Sequence, residues 1–522
     1  MSTDRRITIL WADDEIDLLR PHVLFLQGKG YDVRTATNGY DAIDMLKEIQ
    51  ADLILLDENM PGLSGLETLS RIKMTAPDTP VVMITKSEEE NIMDEAIGAK
   101  IADYLIKPVH PNQILSSIKK NTESRRLVSA RTTTAYQTTF AELGGDIAAA
   151  RSFGDYAELY RKLVYWDMEL ESLGDNLLQD ILQTQKNDAN AAFAKFVRQN
   201  YTGWMQSPDS PETPLLSSTI LQKELFPMLA TGQPTCLLVI DNMRYDQWKA
   251  FAPLLAPYFK TEKELLYSAI LPTVTQYARN ALFAGLLPLQ IQRSMPEYWT
   301  GEEEHDEGHN EFEQQLLEQH LRRRRLPVRM IYEKIASEKA GKKLPEKLGQ
   351  YLQYDLIALV FNFVDQLSHA RTDSDMIRQL SGDEAAYRTL TRTWFEHSAL
   401  LDLLRAMAAK GVRVIITTDH GSIRVTNPVR VVGDRESSVN IRYKQGRKLA
   451  FEHKRIFEVR EPASCQLPRT ALTTSYIFAS GGDYLIYPKN YNQFASYYHQ
   501  TFQHGGISME EMIVPFVVLQ PA

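Results

Sequence analysis

Seven side chains spread through the second half of the chain, Asp241, Thr275, Asp365, His369, Asp419, His420 and His504, are of the types that hold divalent metals and activate a hydroxyl. Asp365 and His369 stand four positions apart, so a helical turn puts both on one face, a spacing suited to a single metal with His504 as a third donor. Asp419 and His420 are adjacent at the end of VRVIITT and, with Asp241 at the end of CLLVI, could form a second site. Mixed carboxylate and imidazole donors suit Zn2+ or Mn2+ better than a thiolate-loving ion. Thr275 lies in LPTVTQYARNALFAGLLP, at a turn ahead of an amphipathic helix. A free hydroxyl is a weak nucleophile, but a divalent metal lets it ionise at accessible pH, and a helix start favours a phosphoryl anion. The chemistry implied is phosphoester hydrolysis with Thr275 as nucleophile and Thr273, two residues earlier, as its competitor by spacing.

A second set stands near the N-terminus. Asp13 and Asp14 end the first apolar run, Asp57 ends the third, Thr85 the fourth and Lys107 the fifth. A carboxylate accepts a phosphoryl group when a divalent cation neutralises both partners, which requires several carboxylates at adjoining strand ends. A hydroxyl and an ammonium at the same edge can contact the acyl phosphate oxygens. Strand-end acids also serve as helix caps, but five coincident residues at successive strand ends argue against that simpler role.

The elements that must position these residues follow from hydrophobic patterning. ITILWA, DVRTA, LILLD, VVMIT and DYLIK alternate with helical patterns, which predicts a doubly wound five-stranded parallel sheet over 1–122. Residues 123–205 change to long helical periodicity, as in YAELYRKLVYWDMELES, and read as a helical connector. QSPDSPETP, from Gln206 to Pro214, cannot continue a helix. Beyond it, 206–522 carries CLLVIDNMR, LIALVFNFVD and VRVIITTDHG, three apolar strands each ending in Asp, and ligands of open α/β sheets collect at such ends. The expected whole is a multidomain α/β protein.

Other features bound the reading. GEEEHDEGHNEFEQQ followed by LRRRRL, within 301–325, reads as a charge-segregated helix or insertion with a solvated face, so His305, His309 and His320 are expected to decorate its surface. His397 and His453 are isolated and read as ordinary surface or core residues. A net charge of −9 argues against a surface built to grip nucleic acid nonspecifically. Cys236 and Cys465 form no disulfide framework or CxxC motif, pointing to a reducing compartment. No signal-peptide pattern or membrane-length apolar run occurs, so a cytoplasmic location without a membrane span is expected.

The N-terminal set, with Pro61, Gly65, Tyr104 and Pro108, resembles bacterial response-regulator receiver domains. The resemblance implies Asp57 as phosphoacceptor, Mg2+ held at Asp13, Asp14, Asp57 and Asn59, and a switch through Thr85, Tyr104 and Lys107. VIDNMRYDQW, PTVTQYARNALFAGL, FVDQLSH, TTDHGS and HGGISMEEMIVP resemble the alkaline phosphatase superfamily, in particular its nucleotide pyrophosphatase/phosphodiesterase members and the PglZ domain. That implies two Zn2+, with Mn2+ as the alternative: one at Asp241, Thr275, Asp419 and His420 activating the nucleophile, the other at Asp365, His369 and His504 activating water. Where phosphodiesterase members place an Asn after the nucleophile this chain has Ala278, so phosphate recognition falls to the neighbouring Arg279 and Asn280.

The order of parts resembles PorX-type response regulators that control type IX secretion. The resemblance implies a sensor histidine kinase, a phosphorylation-dependent homodimer, an extracytoplasmic-function sigma factor as partner, and a zinc-dependent phosphodiesterase acting on cyclic or linear nucleotides or oligonucleotides. The alternatives are a non-catalytic adaptor that binds a nucleotide or sigma factor, and a DNA-binding regulator. No helix-turn-helix signal or basic recognition helix follows the receiver to support the latter.

Overall fold

A computed structural model of the chain describes residues 6–77, 79–86, 101–173, 176–299, 311–335, 341–373, 383–433, 440–451, 456–469, 471 and 473–522. Contacts divide it into two compact units, Met1–Thr138 and Thr139–Ala522.

In the first unit, β1 (Thr8–Ala12), β2 (Asp32–Ala36), β3 (Leu53–Asp57), β4 (Val81–Thr85) and β5 (Asp103–Ile106) pair in parallel in the order β2-β1-β3-β4-β5. Successive side chains of a strand point to opposite faces, and here both faces are apolar. Ile9, Trp11, Leu53, Leu55, Val82 and Ile84 build one core with the helix Pro111–Ile118. Leu10, Ile54, Leu56, Val81 and Met83 build the other with the helix Gly65–Thr75. The register brings Asp57 opposite Ile84 and Thr85 opposite Ile106, so Asp57, Thr85 and Lys107 share the carboxyl edge.

The second unit takes in most of the helical connector as well as the C-terminal α/β region. The helices Phe153–Leu173 and Asn176–Gln206 pack on each other through Tyr156 against Phe193 and Phe196, and the second helix stops where QSPDSPETP begins. Their other faces carry partly buried polar groups that pair with the C-terminal region, which is why the connector does not stand as a third unit. Arg161 binds Glu264 at 2.6 Å, and Arg388 binds Asp167 and Glu171, each at 2.6 Å.

The main sheet is mixed. β6 (Thr235–Ile240), β8 (Met330–Ile335), β9 (Leu356–Phe361) and β10 (Arg413–Thr417) run parallel in the order β10-β6-β9-β8. The C-terminal strand Ile513–Pro521 pairs antiparallel with β10 and carries β7 (Phe259–Ser268) on its far side. Strands β6, β9 and β10 are buried at every position, as their unbroken apolar runs require. They are neighbours, so Asp241, Asn362 and Asp419 emerge side by side at one sheet edge. One expectation is revised here: β9 ends at Phe361, and Asp365 lies in the first turn of the helix Phe363–Asp373, not at the strand end. Among the described residues no helix is long and apolar enough to cross a membrane.

Candidate functional site

The receiver edge gathers its predicted residues. Asp13, Asp14 and Asp57 each offer an oxygen within 4.8 Å of one another, with Asp13 and Asp57 buried and Asp14 exposed. Lys107 Nζ stands 2.9 Å from Asp13 Oδ2 and 2.8 Å from Asp57 Oδ1. Burial pushes the Asp57 carboxyl above the usual range, a shift the Lys107 hydrogen bond opposes and the Asp13 charge augments. Burial alone would lower the Lys107 pKa, but Asp57 and Asp13 outweigh it and hold the ammonium above its ordinary value. Thr85 is buried at the end of β4, Tyr104 is half-buried on β5, and Asn59 is exposed two residues past Asp57. Three hard carboxylates at one strand edge are a donor set suited to Mg2+.

At the second centre Asp241, Asp419 and His420 each place a donor atom within 4.8 Å of the others, all buried. Thr275, first residue of the helix Thr275–Ala284, has its Oγ1 3.4 Å from Asp241 Oδ1 and 3.3 Å from His420 Nε2. His504 Nε2 lies 3.7 Å from Asp365 Oδ1, and the His504 ring stacks on His420 with centroids 4.5 Å apart. Six of the seven predicted residues therefore converge. His369 is in the helix Phe363–Asp373, but its side chain lies outside the described residues. Two carboxylates, an imidazole and a hydroxyl fit a borderline divalent cation such as Zn2+ or Mn2+.

Sequence spacing left two threonines open; the structure separates them. Thr273 Oγ1 donates to the Gly506 carbonyl and accepts from the Gly505 N–H, both at 3.0 Å, so its hydroxyl ties down the loop beyond His504. Thr275 alone of the two faces the donor cluster.

Arg279 departs from its expected role. Its guanidinium is fully buried, donating from Nη2 to Asp241 Oδ2 and from Nε to Asp419 Oδ2 at 3.1 Å, with Nε 3.4 Å from Glu313 Oε1. The fork expected to grip a phosphate instead braces two carboxylates of the donor cluster. Asn280, on the same helix, is also buried. Burial and the neighbouring Asp419 and Asp365 push the Asp241 carboxyl well up, with Arg279 opposing. Burial would also raise Asp419, but the His420 and Arg279 charges and backbone N–H donors hold it at about 2.

Two participants were missed. Glu313 sits in the acidic run read as solvated, yet it is 1% exposed. Asn242 adopts φ 61, a left-handed conformation that Asn tolerates better than most residues. That turn aims its N–H at Asp419 Oδ1, 3.3 Å away, and its Nδ2 at Asp365 Oδ1, 3.2 Å away, bridging the two halves of the site. The Asn following a strand-end Asp was the available signal. His320 also departs from the solvated reading: it is buried, its Nδ1 3.1 Å from the Phe283 carbonyl, while Arg322 to Arg325 are exposed as expected. His305 and His309 lie outside the described residues.

Three family models match successive stretches of the chain. A response regulator receiver domain covers residues 9–119, a PorX response regulator linker domain 126–205, and the BREX system PglZ alkaline phosphatase-like domain 220–519. The last spans more than half the chain. The chain belongs to the PglZ family. Its PglZ domain follows a receiver and a PorX linker, the order of a PorX-type fusion. Among curated proteins, the transcriptional regulatory protein ZraR of Salmonella typhimurium is 30% identical over 152 residues, 29% of this chain and 34% of ZraR. The uncharacterized transcriptional regulatory protein YkoG of Bacillus subtilis is 37% identical over 113 residues, 21% of this chain and 49% of YkoG. The chain thus spans about a third of the length of the curated relatives it matches first. Among solved structures, the chemotaxis protein CheY4 of Vibrio cholerae matches at 27% identity with a TM-score of 0.22, over 22% of this chain and 99% of CheY4.

Proposed function

We propose that this PglZ protein is a two-component response regulator in which a partner sensor histidine kinase phosphorylates Asp57 and thereby controls a metal-dependent phosphodiesterase acting on cyclic or linear nucleotides or oligonucleotides. The observation that carries the reading is the Thr275 hydroxyl at a helix start, within 3.4 Å of Asp241 and 3.3 Å of His420, in an alkaline phosphatase-like domain. Asp241, Asp419 and His420 would hold one Zn2+ or Mn2+, and Asp365, His369 and His504 the other; such cations supply Lewis acidity toward the hydroxyl, the phosphoryl oxygens and water. The Thr275 oxygen attacks phosphorus in line as the bond to the leaving alkoxide breaks, and water then cleaves the phosphothreonine ester to regenerate the hydroxyl. Backbone N–H groups of the first turn of Thr275–Ala284 favour the phosphoryl anion there, and Asn280 is the proposed side-chain contact to a phosphate oxygen. Arg279 acts from behind the carboxylates, keeping Asp241 and Asp419 together. In the receiver Asp13, Asp14, Asp57 and Asn59 would hold Mg2+.

The same proposal includes a phosphorylation-dependent homodimer, a role in type IX secretion and contact with an extracytoplasmic-function sigma factor. A second reading is a non-catalytic adaptor whose PglZ domain binds a nucleotide or sigma factor. One observation favours it: Arg279 already supplies a fixed cation to Asp241 and Asp419. Hydrolysis of chromogenic phosphate mono- and diesters by the Zn2+-loaded chain separates the two. Turnover of the diester that is lost in Thr275→Val and on chelation supports the hydrolase; absence of turnover in the loaded wild-type chain supports the adaptor.

A further inference from the structure

Two histidines of the candidate centre, His420 and His504, are followed by turns that rest on one short segment, Ser508–Glu511. On one side it supports the turn that carries His420: the Gly421 N–H donates to the Glu511 carbonyl at 3.1 Å, and a Cβ at Gly421 would fall 2.1 Å from the Glu510 carbonyl oxygen. Only glycine lets the two backbones meet so closely. On the other side it supports the loop after His504, whose Gly506 N–H donates to Glu511 Oε1 at 2.9 Å. Ser508 caps the segment by accepting from the Glu511 N–H at 3.1 Å.

Within the PglZ region the buried Arg442 donates to Glu511 Oε1 at 3.1 Å and to Oε2 at 2.6 Å, and a second hold on the segment comes from outside that region. Asn190, on the linker helix Asn176–Gln206 and 4% exposed, accepts from the Met509 N–H at 2.8 Å and donates to Glu510 Oε2 at 3.0 Å. Glu510 is itself buried, so this amide satisfies a backbone donor and a carboxylate that have little access to water. A second thread runs alongside it. Asp167 and Glu171 of the helix Phe153–Leu173 bind Arg388, which binds Asp246, the partner of Arg244; the Arg244 stem lies 3.4 Å from the Gly421 Cβ position. Both threads end at the turn beside His420.

We infer that the linker is a working part of the metal centre: Asn190 is a positioning residue that sets where His420 and His504 stand, so a displacement of the linker helix changes metal affinity. Partners that orient metal ligands typically govern affinity by 10- to 100-fold. The inference rests on the reading that these histidines hold metal, and it gives the linker a chemical output.

The test uses the full-length chain stripped of metal, in millimolar Mg2+ to keep the receiver carboxylates occupied, with Zn2+ titrated against a chromogenic chelator. Asn190→Ala is expected to weaken Zn2+ binding about 10-fold or more. Gln183→Ala, on the exposed side of the same helix, should bind like wild type. A second readout needs no variant. Linkage is reciprocal, so Zn2+ bound through a linker-held site must in turn hold the linker. Zn2+ should therefore slow hydrogen exchange around 186–194 together with 504–512 in the wild-type chain. Wild-type affinity in Asn190→Ala, or exchange around 186–194 indifferent to Zn2+, overturns the proposal. A wild-type chain that takes up no Zn2+ instead overturns the metal-site reading beneath it.

Discussion

Arg279 shows how a single residue reverses meaning when its surroundings are known. Beside a nucleophile a guanidinium suggests phosphate recognition, but here it is sealed among Asp241, Asp419 and Glu313. Breaking a buried ion pair by removing one partner costs about 3–5 kcal/mol because the remaining charges are left uncompensated. Arg279→Met should therefore lower the melting temperature of the metal-free chain by several degrees. Zn2+, by replacing the lost positive charge, should return most of that loss. An equal loss with and without Zn2+ would mean that Arg279 is packing rather than charge compensation. The donor types were legible at this scale because carboxylate and imidazole chemistry belongs to the side chain itself. Glu313 was not, since an acid in an acidic run looks solvated until a buried cation is found opposite it. Asn242 was half legible: the Asn was visible after Asp241, but its bridge to Asp365 depends on a backbone turn with φ 61.

Elements were read well where the pattern was local. The apolar runs became buried strands, and the proline-rich stretch after Gln206 ended a helix. The helix Glu313–Arg323 was misread as solvated because its charges outnumber its apolar residues. Yet Leu316, Leu317, His320 and Leu321 recur at three- and four-residue spacing and form its buried face. His320 lies against Gly285, the left-handed residue that ends the helix Thr275–Ala284, so the misread helix packs directly behind the one that starts at Thr275. Burial, with Arg323 adding to it, pushes the imidazole from 6.5 down to about 3. The unfolded chain thus binds this proton more readily. The stability contributed by the neutral ring is intact above about pH 6.5 and is lost progressively as pH falls toward 3, by at most about 1.4 kcal/mol per pH unit. Thermal unfolding of His320→Asn, which can keep a donor toward the Phe283 carbonyl, should show a flatter loss of melting temperature between pH 6.5 and 4 than wild type. An unchanged slope would assign the acid sensitivity to other groups.

For the whole molecule the proposed function requires that a phosphoryl group on Asp57 alter chemistry in a different unit. A new dianion can draw Thr85 inward and let Tyr104 repack, changing the receiver face offered to a second copy and with it the placement of the linker helices. Asp57→Ala treated with acetyl phosphate should stay in the unphosphorylated oligomeric state by light scattering and show unaltered diester turnover. If it dimerises and turns over substrate like phosphorylated wild type, the coupling idea is wrong. Sequence alone determined the alternation of strands and helices and which side chains have the donor types a divalent metal takes, because apolar period and donor type are properties of short segments. Tertiary structure alone decided that Thr275 rather than Thr273 faces the donors, that Arg279 braces carboxylates, and that the linker reaches the loop behind His504. Those outcomes depend on distances between residues up to 320 positions apart, which sheet register and helix packing set and no local pattern encodes.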